Sequence, residues 1–164
     1  MKNAPIPENE NERLAVVRAL EILDTPPDER FDRLTREAIQ RLHVPISTIS
    51  IIDKDREWFK SCIGLESWEG PRSSSFCGHA LVSDKKVFIV EDTKKDPTFS
   101  DNPMVTGPPH IRFYAGVALH DEKQHLPVGV FCVKDTKPRN FSLEETGTLL
   151  ELADRAEREL NAQG

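Results

Sequence analysis

The sequence predicts an α+β domain: an antiparallel sheet with helices from the two ends of the chain packed on one face. Three observations carry this. Apolar residues recur at helical spacing near both termini. Five runs rich in β-branched and apolar residues lie between them. Most of these runs are joined by short polar turns, which make hairpins rather than crossovers.

Two prolines and two asparagines among the first ten residues predict a loose tail over 1–11, leaving 12–164 as a single domain. Val16, Leu20 and Leu23, at i, i+4 and i+7, predict a helix over 12–23. Thr25-Pro26-Pro27-Asp28 interrupts it. Proline cannot continue a helix but suits the start of one, and Thr25 can cap with Asp28 three residues on. Phe31, Leu34, Ala38 and Leu42 then share a face of a helix over 29–42. It must stop near His43, because Pro45 disfavours helix in the residue before it. Runs at 46–52 and 57–63 flank the polar turn Asp53-Lys54-Asp55 and predict a hairpin closed by Gly64.

Ser73-Ser74-Ser75 can cap a short helix through Leu81, and 87–90 is a compact apolar strand. Residues 92–111 are rich in Pro, Asp, Asn and Thr; a loop of that length in a compact domain is usually functional or disordered. Its Phe99, Met104 and Val105 predict that it packs on something. Strands at 113–119 and 126–133 flank the charged turn at 121–124. Ser142-Leu143-Glu144-Glu145 reads as a capping box opening a helix over 143–160, with Leu149, Ala153, Ala156 and Leu160 on one face.

A length of 164 residues suits one core. The net charge of −6 excludes a nucleic-acid-binding reading, because a phosphate-binding surface needs clustered Lys and Arg. Lys85-Lys86 and Lys94-Lys95 are short solvated pairs beside aspartates. No run is apolar enough to span a bilayer, and the first eleven residues lack the apolar centre of a signal peptide. A cytoplasmic location with no membrane partner is expected. Cys62, Cys77 and Cys132, an odd and scattered set, fit reduced thiols. No Cys-x-x-Cys or His-x-x-x-His spacing points to a metal, and Asp92, Asp96 and Asp101 lack the spacing of a calcium loop.

Cys77 and His79 are the most suggestive pair. A thiol at a helix start can ionise easily, but residues two apart on a helix do not face each other. Packing is the first reading of the pair, ligand contact the second and redox chemistry the third. Cys62 and Cys132, on strands, read as buried inert thiols. His110, His120 and His125 read as surface residues. Ala115, Gly116 and Ala118, beside Phe113 and Tyr114, make a strand of small residues. Small residues there admit close approach by either a ligand or a covering helix, and both readings stand.

Several strings resemble the GAF family. They include Ile22-Leu23-Asp24-Thr25-Pro26-Pro27, Trp58-Phe59-Lys60-Ser61, Ser75-Phe76-Cys77-Gly78-His79-Ala80, Asp96-Pro97-Thr98-Phe99-Ser100-Asp101-Asn102-Pro103, Ile111-Arg112-Phe113-Tyr114-Ala115-Gly116 and Val128-Gly129-Val130-Phe131-Cys132-Val133. They run in order from about residue 12 to about residue 160 and look like the GAF modules at the front of bacterial sensor histidine kinases and diguanylate cyclases. The resemblance implies a sheet of five or six strands, terminal helices on one face, and a short helix and long loop roofing a cavity on the other. Family members bind cyclic nucleotides, bilins, haem or small metabolites there, and others have no known ligand.

On that reading the cofactor-binding residues are Phe76, Cys77 and His79 from the short helix, Asp96, Phe99 and Asn102 from the loop, and Phe113, Tyr114 and Ala115 from the strand beneath. Trp58 is a rim or core residue. The implied function is a small-molecule-sensing regulatory domain in signal transduction, not an enzyme. The ligand is an unspecified metabolite or nucleotide, and no covalent bilin or metal is expected. The alternatives are a dimerisation module with a vestigial cavity and a thiol-dependent redox enzyme such as a free methionine sulfoxide reductase. The sequence holds no kinase or cyclase output segment, so it is either a free-standing module or a piece of a longer sensor. Val17 and Leu150, beside the main apolar stripes, predict a homodimer through the terminal helices.

Overall fold

The computed structural model describes residues 1–162. Six strands, β1 (Ile46–Ile52), β2 (Arg56–Ile63), β3 (Glu69–Pro71), β4 (Phe88–Val90), β5 (Phe113–His120) and β6 (Pro127–Asp135), form one sheet in the order β3-β2-β1-β6-β5-β4. Every neighbouring pair is antiparallel. Five strands lie where the apolar runs predict them. The three-residue β3, with no apolar residue, gave no periodicity to detect.

The terminal helices α1 (Glu10–Ala19), α2 (Glu29–Leu42) and α5 (Leu143–Asn161) cover one face. Their Val17, Phe31, Leu34, Leu149 and Ala156 pack on Ile49, Ile51, Phe131 and Val133 of the sheet. Asp28, not Thr25, caps α2, accepting from the Arg30 N–H at 2.9 Å. Thr25 instead donates to the Ile22 carbonyl and accepts from Lys60 Nζ at 2.8 Å. His43, left-handed at φ 54°, ends α2 as Pro45 requires. The Ser142–Glu145 capping box of α5 forms with both reciprocal hydrogen bonds.

The other face is roofed by α3 (Phe76–Leu81), capped by Ser75, and α4 (Pro103–Thr106) within the long loop. The N-terminal residues, expected as a loose tail, lie against this roof. The Ala4 N–H donates to the Ser73 carbonyl at 3.0 Å, and Ala4 is buried. Gly78 makes this docking feasible: a Cβ there would stand 2.8 Å from that of Ala4.

Both residues on which the homodimer expectation rests touch the helix-side core. Val17 is wholly buried and Leu150 packs half-buried against the same core. The outer faces of α2 and α5 are crossed by ion pairs such as Arg33–Glu159 and Arg41–Glu151. Among the described residues, no helix is long and apolar enough to cross a membrane.

Candidate functional site

Strand parity decides which residues meet, because successive side chains of a strand point to opposite faces. On β5, Tyr114 and Gly116 face the roof. Phe113 and Ala115 face the other way, into the core beneath the terminal helices. The expectation that Phe113 and Ala115 floor a roof-side cavity is therefore overturned. Ala115→Leu would overpack the helix-side core and is expected to cost about 1–3 kcal/mol by urea unfolding, rather than blocking a pocket.

Five of the expected site residues do come together, as a packed cluster instead of an open cavity. The Phe76 ring meets Phe99 edge-on at 4.6 Å and Tyr114 at 5.4 Å, and His79 meets Phe99 at 4.8 Å. Tyr114 Oη donates to Cys77 Sγ at 3.1 Å. Gly116 explains this reach, since a Cβ there would lie 2.3 Å from the phenol oxygen. The small residue thus accommodates the protein's own tyrosine. Burial pushes the Cys77 thiol and the Tyr114 phenol well up, with the neighbouring Cys132 adding to both. Burial also pushes His79 down, which favours the neutral imidazole.

The remaining expected residues separate. Asn102 spends its side chain on structure: Nδ2 donates to the Ser74 carbonyl at 3.0 Å, and Oδ1 caps α4 through the Met104 N–H at 2.9 Å. Asp96 accepts from the Thr98 N–H at 2.9 Å and lines a cleft at the β4 edge of the sheet, beside Lys95 and Arg139.

Concavity on the roof side lies at the opposite edge. A cleft of about 600 Å³ opens over β2 and β3, lined by Glu57, Phe59, Leu65, Gly70, Ser75 and Met104, with Pro108 and Pro109. Clefts of about 830 and 690 Å³ lie elsewhere; charged side chains make up much of the first wall, and the second mixes Leu81, Val117 and Leu150 with Asp84, Lys85, Lys86, Asp154 and Glu157. A ligand pocket needs apolar walls with a few placed polar groups, and the cleft over β2 and β3 matches that best.

Glu66 and Glu69 line it as exposed residues, while its one buried carboxylate is Glu57, 3% exposed. From it a row of hydrogen bonds crosses the floor of the sheet. Ser50 Oγ donates to Glu57 Oε2 at 2.7 Å, Thr48 Oγ1 lies 2.9 Å from Ser50 Oγ, and Cys132 Sγ lies 3.0 Å from Thr48 Oγ1. A bulge sets this phase. β1 and β2 shift register at Ile49/Ser50, with Lys60 as the extra residue, so Glu57 reaches the roof side while Ser61 turns to Thr35 under α2.

Lys134 stands at the inner end of the floor, wholly buried, its Nζ 5.9 Å from the Phe76 centroid. That nitrogen finds no hydrogen-bond acceptor among the described residues. Burial lowers its pKa, but the Cys132, Glu57 and Cys77 charges outweigh this and raise it, so the ammonium persists. At Cys132 burial opposes ionisation, but contacts with Cys77, Lys134 and Thr48 lower the pKa overall.

Sequence reasoning missed this floor. Its trace is visible in hindsight: Lys134 continues the inward phase of Val130 and Cys132 beyond the expected strand end at 133, and Glu57 opens a strand taken as apolar. Among the described residues no group of His, Cys, Asp and Glu could hold a metal.

Comparison with known proteins agrees with this architecture. The chain is 42% identical over 151 residues, 92% of its length, to a cyclic di-GMP phosphodiesterase of Pseudomonas aeruginosa, but spans only 25% of that protein. It superposes on a type II free methionine-R-sulfoxide reductase from Thermoplasma acidophilum with a TM-score of 0.64 at 13% identity, covering 92% of this chain and 96% of that one. It superposes on the GAF domain of an Acinetobacter phosphoenolpyruvate-protein phosphotransferase with a TM-score of 0.61 at 16% identity, covering 93% and 92%. At such identities the superpositions speak for the fold alone. The family model described as GAF domain matches residues 26–160, most of the chain, and the protein therefore belongs to the GAF domain family.

Proposed function

We propose that this chain is a ligand-sensing regulatory domain of a signalling protein, with the cleft beside Glu57 as the mouth of its site. The observation that carries the reading is that cleft: about 600 Å³, largely apolar, and lined by one buried carboxylate, Glu57, whose hydrogen bond to Ser50 leads on to the buried hydroxyls of the sheet. That volume suits a small molecule. The phosphodiesterase relative extends well beyond the matched quarter, which fits a domain that regulates an output segment elsewhere in a longer chain.

The thiol-enzyme reading is the weaker one. Cys77 and Cys132 are wholly buried, and burial pushes the half-buried Cys62 up to about 11. A nucleophilic thiol needs exposure and an easily formed thiolate at one position.

The test is native mass spectrometry of freshly purified protein beside Gly70→Phe. Gly70 lines the cleft on an edge strand, and a Cβ built there meets nothing within 4 Å. The variant is expected to keep the wild-type melting temperature while losing a retained small-molecule mass. Wild type showing no retained mass, and no thermal shift with a metabolite extract, would remove the sensing reading.

A further inference from the structure

The buried floor of the sheet holds a charge that the fold itself does not satisfy. Lys134 lies at 0% exposure with an ammonium that no acceptor of the described chain hydrogen-bonds. Its contact with the Phe76 face, at 5.9 Å, is a long cation–π interaction and does not replace the hydrogen bonds an ammonium loses on leaving water. Opposite charge reaches it only through space, chiefly from Cys132 and Glu57. Glu57 is also buried, and Ser50 engages one of its oxygens. The two ions therefore share one face of the sheet, across Ser50 and Thr48, without forming a pair. A native core rarely keeps such groups unless something bridges them.

Resting on the sensing reading above, we propose that this floor is a subsite for a small zwitterion, its carboxylate taken by Lys134 Nζ and its ammonium by Glu57. The charge inventory selects that class. One cation and one carboxylate, with hydroxyls between, complement a molecule carrying one charge of each sign. A phosphate or nucleotide would bring a charge that Glu57 repels. The guanidiniums of Arg72 and Arg112 each face a carboxylate of their own, Glu10 and Asp92, although the Nε of each has no acceptor among the described residues.

The way in is through Leu65 and Met104. Both line the cleft, and both pack half-buried against the roof cluster that contains Phe76. An unbranched methionine adapts readily to a new neighbour, so these two side chains can yield as the ligand passes from cleft to floor.

The test compares wild type with Lys134→Met, which keeps the chain length and removes the charge, and with Glu57→Gln. Each is titrated by calorimetry with the common free L-amino acids, with their methyl esters and N-acetyl derivatives, and with inorganic phosphate. At least one free amino acid is expected to bind wild type and raise its Tm, while its ester and its N-acetyl derivative do not. Lys134→Met is expected to weaken that binding roughly tenfold or more, and Glu57→Gln to weaken it in the same direction. Without ligand, Lys134→Met is expected to melt no lower than wild type, because an unsatisfied buried charge has been removed.

Four results would overturn the proposal: an ester binding as well as its acid, Lys134→Met binding unchanged, phosphate alone binding, or no member of the panel binding. If ligand-free Lys134→Met melts well below wild type, the ammonium is already compensated, for instance by a Cys132 thiolate, and the proposal also fails. The two readings fail separately. A retained mass that is not a zwitterion sinks this proposal and leaves sensing intact, whereas no retained mass and no binder in a metabolite extract sinks both.

Discussion

Glu10→Ala is expected to destabilise the folded protein by about 3 kcal/mol. Glu10 sits in the first turn of α1 and holds two guanidiniums at once. Arg13 Nε donates to Oε1 at 2.8 Å, and Arg72 Nη1 donates to Oε2 at 2.5 Å. Arg13 is wholly buried and Arg72 is 3% exposed. Arg72 Nη1 also donates to the carbonyls of Asp53 and Lys54 at 3.2 Å, so one carboxylate ties α1 to the β1–β2 turn and to the segment leading into α3. Removing it leaves two buried cations without their shared anion, which costs far more than losing an exposed pair. Because Arg72 lies two residues before the Ser74–Ser75 wall of the cleft, the same variant is expected to loosen ligand retention. Urea unfolding at neutral pH measures the first effect and native mass spectrometry the second.

The same residue sets an acid dependence. Burial raises the Glu10 pKa, but Arg13 and Arg72 outweigh it and bring it from 4.5 to about 2. A carboxylate whose folded pKa lies below its unfolded value stabilises fully above the unfolded value and loses that contribution as pH falls through the folded one. Wild type is therefore expected to lose stability between about pH 4.5 and 2, by about 2 kcal/mol from this group after allowance for its contact with water. Glu10→Gln should flatten that part of the profile. An unchanged slope in the variant would show that other carboxylates carry it.

Phe99→Ala is expected to cost about 3–5 kcal/mol. Phe99 is 1% exposed and its ring meets Phe76, His79 and Phe88 at 4.6, 4.8 and 6.0 Å. The family resemblance makes it a ligand-contacting residue of the long loop. In the fold it is a keystone of the roof core, so the larger effect is on global stability. A Tm drop of only a degree or two would mean that the roof can collapse around the missing ring.

Much of the architecture was legible from local patterns. The period of Phe31, Leu34, Ala38 and Leu42 placed α2, Pro45 ended it, and the Ser142–Glu145 box opened α5. These features depend on residues within a turn or two of each other, where backbone sterics and capping act directly. Phe76, Cys77, His79, Phe99 and Tyr114 were named from strings resembling the family, but as the lining of a ligand cavity and not as the packed cluster they form.

What the sequence by itself determined is the class of fold and the order of elements, since spacing and composition specify which segments have an apolar face to bury; the roof residues came from the family resemblance. Only the tertiary structure decided which way β5 faces, so that Tyr114 meets the roof while Phe113 and Ala115 support the helices. A strand's phase is not absolute in the sequence; it is set by register with its neighbours, and a one-residue difference exchanges its two faces. The same holds for the floor. Glu57, Ser50, Thr48, Cys132 and Lys134 come from three strands brought side by side by hydrogen bonding, and no local pattern records that they meet.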